Sequence, residues 1–141
     1  LSMTRFNITL EEGTNMVIWA LKYSLGGEIF VPKIPSYRIS ELAEAIGPSC
    51  KKVIVGIRPG EKIHEIMITN SDSPSTIDLG DNFAILPSKH KNISIYETLG
   101  LNPKYVNKDF FYSSDSNDHF LSIKEIRNLI KTNLDKNFIP I

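Results

Sequence analysis

The stretch KKVIVGIRPGEKIHE, residues 51–65, decides how the fold is read. Lys51 to Ile57 is rich in β-branched residues and predicts a buried strand. Arg58-Pro59-Gly60 supplies a turn, and the residues from Glu61 to about Thr69 predict a helix whose first carboxylate suits the helix dipole. On this reading Arg58 stands at the firmly held end of a strand. Its planar fork suits a pyrophosphate, through paired charge-assisted hydrogen bonds. Glu61, three residues on, can accept two hydrogen bonds from a ribose diol. A plainer reading stands beside this one and is the commoner arrangement on spacing alone: Glu61 is a helix-start acid and Arg58 its surface ion partner.

Working outward, Thr9 followed by Glu12 is a capping box, and Met16, Val17, Ala20 and Leu21 recur at helical spacing. A helix is predicted from about Leu10 to Ser24, stopped by Gly26-Gly27. Ile29-Phe30-Val31 predicts a short strand; Pro32 and Pro35 keep the residues after it extended and out of a central ladder. Ser40 is expected to cap a short helix, Glu41 to Ile46, ended by Gly47. Residues 70–76, Asn-Ser-Asp-Ser-Pro-Ser-Thr, read as a flexible loop. Two short strands are expected around Gly80-Asp81, irregular structure from His90 to Asp118, and a helix from Ile123 to about Asn133 behind a second capping box, Ser122 with Glu125. The mixture is α/β or α+β, with connections too irregular for a complete doubly wound sheet.

The 141 residues suffice for one domain with a real core, so a single region spanning 1–141 is expected. Sixteen basic and sixteen acidic residues balance to zero net charge, which gives no electrostatic case for nucleic acid. The longest apolar candidate, Met16 to Leu21, falls far short of the ~20 residues of a membrane span. Cys50 is alone, so no intramolecular disulfide forms and a reducing, cytoplasmic setting fits best. The opening Leu1-Ser2-Met3 reads as a cut piece of a longer protein or a processed start.

The chain has no G-x-G-x-x-G after a strand, no phosphate-binding G-x-x-x-x-G-K-[ST] loop, no Tyr-x-x-x-Lys pair and no H-E-x-x-H. His64, His90 and His119 lack metal-ligand spacing, so no metal is expected and no catalytic residue is assigned. Arg5 in Met-Thr-Arg-Phe is open to two readings, a phosphate contact or an exposed terminal arginine. The non-paired backbone around Val31-Pro32-Lys33 could face a flat base or form a plain crossover. His64 and Trp19 read as packing residues.

Four segments carry a resemblance: MTRFNITLEEG (3–13), GEIFVPKIPSYRISELAEAI (27–46), VGIRPGEKIHEIMI (55–68) and YSSDSNDHFLSIKEI (112–126). In order, they resemble the C-terminal part of UDP-N-acetylglucosamine 4,6-dehydratases of the inverting type, members of the extended short-chain dehydrogenase/reductase superfamily. The resemblance implies an α/β C-terminal substrate-binding region without most of a Rossmann domain. It implies a UDP-sugar contact set of Arg58 at the diphosphate, Glu61 at the uridine ribose, Arg5 with Thr4 at the phosphates, and Val31, Pro32 and Lys33 as weaker neighbours. It also implies a whole enzyme, a lyase acting with NADP or NAD bound by a missing N-terminal domain, and a homo-oligomer. Its product would be a UDP-4-keto-6-deoxy sugar for bacterial surface or flagellin glycans such as pseudaminic acid. By itself this chain is expected to be inactive. A UDP-sugar 4-epimerase of the same superfamily and a non-catalytic nucleotide-sugar-binding module are the alternatives.

Overall fold

A computed structural model describes residues 2–87 and 92–141; His90 lies outside them. The elements in chain order are β1 (Thr4–Phe6), α1 (Leu10–Tyr23), β2 (Ile29–Pro32), β3 (Ser36–Arg38), α2 (Ile39–Ile46), β4 (Ile66–Ile68), β5 (Thr76–Asp78), β6 (Asn82–Ile85), α3 (Ser94–Thr98), β7 (Lys104–Tyr105), β8 (Tyr112–Ser113) and α4 (Ile123–Asn133). The mixed α/β character expected from the sequence is borne out, with small sheets. The chain divides into two compact units.

The first unit comprises the N-terminal residues through Asn7, Ile34–Glu65 and Ser113–Ile141. β1 and β3 pair antiparallel, with Thr4 opposite Arg38 and Phe6 opposite Ser36. α2 and α4 pack over Ala45, Leu121 and Ile126, flanked by Tyr37, Leu42 and Leu129. Arg127 closes this pair: its guanidinium donates to the carbonyls of Ala45 at 3.0 Å and Glu44 at 3.2 Å. A cation there satisfies free carbonyls and suits the negative end of α2. The capping box at Ser122 and Glu125 forms as its spacing predicts.

One expectation about α2 fails, the Ser40 cap. α2 begins one residue before Ser40, and Arg38 holds its N-cap position without a side-chain cap. Arg38 instead pairs with Glu41 at 3.1 Å. Gly47 does end the helix, but at φ −133°. Its requirement for glycine is close approach, since a Cβ there would lie 2.9 Å from Cys50 Sγ.

The larger failure is the deciding stretch itself. Residues 51–58 form no strand, and Glu61 opens no helix. Val53, Ile54 and Val55 are 69, 76 and 86% exposed. β-branched residues make a strand only where a partner completes the ladder and covers a face, and no described residue does either for this run. Beyond it, Ile66–Ile68 is strand β4, not the end of a helix. The helix-forming residues of Glu61–Glu65 are overridden by β1, whose Thr4 N–H takes the Ile63 carbonyl at 3.0 Å.

The second unit comprises Ile8–Lys33 and Ile66–Tyr112. Its sheet runs β2-β6-β5-β7, so Pro32 sits on an edge strand, where its missing N–H costs no ladder bond. β5 and β6 form the expected hairpin around Gly80-Asp81, with Gly80 at φ 95°, the first central position where a primed turn needs glycine. Phe30, Ala84 and Ile77 lie in one register row, packed with Leu79, Leu86, Tyr96 and Trp19. Trp19 meets Phe30 edge to face at 5.1 Å, a core contact as its helical spacing suggested. Residues 70–76, expected as a flexible loop, hold a 3₁₀ turn at Ser73–Ser75 with Ser73 and Thr76 buried. Their hydroxyls are used internally, Ser73 to the Asn70 carbonyl and Thr76 to the Asp72 carbonyl.

α1 has the predicted span and capping box, but its end is built differently. Ser24 is the C-cap in extended conformation, and the two glycines come later at φ 116° and 90°. Glu28 organises that turn. Its carboxylate accepts from Leu25 N–H at 3.0 Å, Gly26 N–H at 2.8 Å, Ser24 Oγ at 3.2 Å and the buried Tyr96 hydroxyl at 2.8 Å. Burial pushes the Glu28 carboxyl up, but hydrogen bonds from backbone N–H groups and Tyr96 outweigh it and hold the carboxyl below 4.5. Burial, then the bond to Glu28, push the Tyr96 phenol up.

A group with a depressed folded-state pKa stabilises above its unfolded value and loses that contribution as pH falls through the folded one. Glu28→Gln should therefore melt earlier than wild type at pH 7, by roughly 1 kcal/mol. The gap should narrow as pH falls below the ordinary carboxylate range; a gap independent of pH in a melting series would contradict this account. The bare Val53–Val55 run should make the chain self-associate. Light scattering that gives one monomer mass at all concentrations, with Val55→Lys changing nothing, would contradict it.

Candidate functional site

The sequence-predicted residues fall into both units. Thr4, Arg5, Arg58 and Glu61 belong to the first, and Val31, Pro32 and Lys33 to the second. In the second, Val31 is buried on β2, Pro32 lies opposite Asn82 in the ladder, and Lys33 is engaged. Its Nζ meets Asp78 at 2.7 Å and lies 4.5 Å from the centre of the Phe83 ring.

In the first unit the turn at Arg58–Glu61 forms as expected. Glu61 N–H donates to the Arg58 carbonyl at 3.0 Å, and Gly60 sits at φ 80°. The Glu61 carboxylate folds back and accepts the Arg58 backbone N–H at 3.1 Å through Oε2. The plainer reading is thus half realised: Arg58 and Glu61 are partners, through backbone N–H and not through the guanidinium. The Arg58 side chain is exposed and makes no ion pair among the described residues. Because no helix begins at Glu61, no helix dipole acts on its carboxylate.

Arg5 is neither an exposed terminal arginine nor free to turn outward. Its side chain is 18% exposed. The guanidinium donates to the carbonyls of Thr4 at 2.7 Å, Lys62 at 2.9 Å and Ile63 at 3.1 Å. It stands 3.7 Å from Glu61 Oε1 and 3.8 Å from Glu65 Oε1. Thr4 is also turned inward and is 3% exposed. Its Oγ1 lies 2.8 Å from His64 Nδ1 and 2.7 Å from Ser114 Oγ.

The residues that hold this arrangement together were not singled out by the sequence. Glu65 Oε2 accepts the Phe6 N–H at 2.8 Å, in the place of a ladder carbonyl. Glu65 and Ser114 exchange bonds, Glu65 N–H to Ser114 Oγ at 2.9 Å and Ser114 N–H to the Glu65 carbonyl at 2.8 Å. His64, read as a packing residue, is a polar one, with Nε2 at 4.0 Å from Asp115 Oδ2. Ser113 donates to Asp115, which with the nearby His64 holds the Asp115 carboxyl low despite some burial. Burial, and then the Glu65 charge, push the half-buried Tyr37 phenol up, with Arg5 opposing. One available signal was the short apolar run Ile66-Met67-Ile68, which fits a buried strand directly after Glu65.

Beside this polar set, an apolar groove of about 560 Å³ is lined by Met3, Ile39, Ala43, Val53, Val55 and Ile63 among others. Its polar lining is sparse, Ser2, Ser40 and the ion pair of Lys52 with Glu44. Among the described residues no group of three or more His, Cys, Asp or Glu could hold a metal ion, and no helix is long and apolar enough to cross a membrane.

The polysaccharide biosynthesis protein family model matches residues 1–87, and the chain belongs to that family. It is 44% identical over 133 residues to the UDP-N-acetylglucosamine 4,6-dehydratase (inverting) of Campylobacter jejuni subsp. jejuni serotype O:2, covering 91% of this chain and 40% of that protein. The resemblance read from the four segments is borne out. A UDP-glucose 4-epimerase of Rickettsia canadensis is 31% identical, covering 93% of this chain and 39% of that protein. The X-ray structure of Pen from Bacillus thuringiensis superposes with a TM-score of 0.77 at 32% identity, over 99% of this chain and 40% of that one. The chain thus spans about 40% of the length of the dehydratase it matches.

If Arg5 is a structural clamp, Arg5→Ala should lower stability by about 1–3 kcal/mol in urea denaturation, since it removes a charged donor shared by three carbonyls. Arg5→Lys should recover only part, because a point charge cannot reach three carbonyls and two carboxylates. Unchanged stability in Arg5→Ala would return Arg5 to a role at a ligand.

Proposed function

We propose that this chain is the UDP-sugar-binding part of an extended short-chain dehydrogenase/reductase, a UDP-N-acetylglucosamine 4,6-dehydratase. The complete protein would form a UDP-4-keto-6-deoxy-N-acetylhexosamine for surface or flagellin glycan synthesis, in the cytoplasm and as a homo-oligomer. The observation that carries the reading is the Arg58–Glu61 turn: an exposed guanidinium with no ion partner among the described residues, fixed three residues from a carboxylate whose Oε2 is already bonded to the turn.

Arg58 would bind the diphosphate through its fork. Glu61 would accept from the ribose diol through Oε1, the oxygen not committed to the turn. Thr4 and Arg5 would serve the ligand indirectly, Arg5 by keeping Glu61 in place. Val31, Pro32 and Lys33 are weaker candidates, since Lys33 is committed to Asp78. In the complete enzyme a nicotinamide cofactor, NADP or NAD, held outside this chain, would supply the hydride chemistry. This chain's residues supply binding energy remote from the reacting sugar carbons, which orients the sugar for a step carried out elsewhere. None of them is assigned a role toward the cofactor.

The 31% identity to a UDP-glucose 4-epimerase favours a second reading, an epimerase segment with the same uridine grip. Residues outside this chain would decide between the two.

Calorimetric titration with UDP tests the shared part. Binding should occur, and Arg58→Ala should weaken it by about 1.5–3 kcal/mol, the usual worth of a hydrogen bond to a charged group. Binding that Arg58→Ala leaves untouched would refute the assigned grip.

A further inference from the structure

We infer that Glu65, Ser114, Thr4 and His64 form a one-way hydrogen-bond relay that holds His64 as its Nε2–H tautomer, making His64 a positioning residue for the Arg58–Glu61 turn. The direction is set by what each group can donate. The Glu65 backbone N–H can only donate, and it donates to Ser114 Oγ at 2.9 Å. Ser114 is fully buried, so its hydroxyl hydrogen needs a protein acceptor. The side-chain oxygen within reach is Thr4 Oγ1 at 2.7 Å. Thr4, itself buried, must then pass its own hydrogen on, and His64 Nδ1 lies at 2.8 Å. Nδ1 is therefore an acceptor, and the ring proton belongs on Nε2, the nitrogen that faces Asp115 at 4.0 Å. With the proton on Nδ1 the chain would run backwards and leave the Ser114 hydrogen without an acceptor in a fully buried place.

The relay matters to the turn because its backbone hydrogen bonds come from one side, the upstream run being tied through the Lys52 side chain on Glu44. Residues 51–57 make no backbone hydrogen bond among the described residues. Downstream, Lys62 and Ile63 give their carbonyls to Arg5 and Thr4, and His64 is the next residue. Among the described residues, the backbone hydrogen bonds that anchor Arg58 and Glu61 beyond their own turn thus lie in residues 62–65. Fixing the His64 ring on Thr4 fixes where those four residues lie on β1. The consequence for a ligand rests on the nucleotide reading above; the relay itself does not.

The test uses the full chain labelled with ¹⁵N. Correlation of ring hydrogens with ring nitrogens reports which nitrogen of neutral His64 is protonated, while amide resonances of Arg58 and Glu61 report the turn. Nε2 should carry the proton in wild type. Thr4→Val should give a mixed ring population and shift both amides, and Thr4→Ser should restore both. If Thr4→Val does not fold, Ser114→Ala takes its place. It removes the link that sets the direction and should also give a mixed ring. A protonated Nδ1 in wild type, or a ring and amides indifferent to these substitutions, overturns the relay. UDP is added last. The relay signature with no response to UDP upholds the relay and sinks the nucleotide reading; UDP binding weakened by Thr4→Val and restored by Thr4→Ser upholds both.

Discussion

The first unit depends on one constraint: residues 62–65 are clasped to β1 without being a strand. Thr4 N–H takes the Ile63 carbonyl, Phe6 N–H takes the Glu65 carboxylate, and Arg5 collects three carbonyls and stands between two carboxylates. Each bond is ordinary, and surface ion pairs of this kind contribute little by themselves. Their value lies in being shared: one arginine at 18% exposure satisfies acceptors from both segments, so less conformational entropy is lost per bond. The clasp sets the end of the Arg-Pro-Gly-Glu turn and hence the direction in which Arg58 faces solvent.

The clasp also reassigns roles. Arg5 and Glu61 are attractive ligand residues when viewed as letters, because both carry charge near glycine and proline. In the fold they attend to each other, whereas Arg58 is exposed and has no ion partner among the described residues. Charge that is already neutralised by the protein is poorly placed to bind a diphosphate; charge that is not remains available. The second unit shows the same economy around Glu28, where one carboxylate gathers the N–H groups of the α1–β2 turn and the Tyr96 hydroxyl. There the acid is structural, and the paired glycines serve its turn instead of capping the helix.

What local sequence predicted well has local physics. Both capping boxes, Thr9 with Glu12 and Ser122 with Glu125, form where the spacing says, because each closes within four residues. The Gly80-Asp81 hairpin and the span of α1 were legible for the same reason. What it predicted badly are segments whose state is set by distant partners. Lys51–Ile57 has strand composition but joins no strand among the described residues, and Glu61–Glu65 has helix formers but is bonded to β1. The loop at 70–76 looked unstructured because its polar residues were read as solvated, yet Ser73 and Thr76 are buried on bonds to nearby carbonyls.

The sequence by itself therefore determined the family, through four motif segments in order, and the elements whose caps and turns are local. It also brought Arg58 and Glu61 to one turn, since Pro59 and Gly60 leave that stretch little choice. Only the tertiary structure decided which charges are neutralised within the protein. Arg5 and Thr4 turn inward and Arg58 stays out because buried donors and acceptors must be paired. Those pairs, Arg5 with Glu65 and Thr4 with Ser114, span 60 and 110 residues of chain and leave no trace in local pattern.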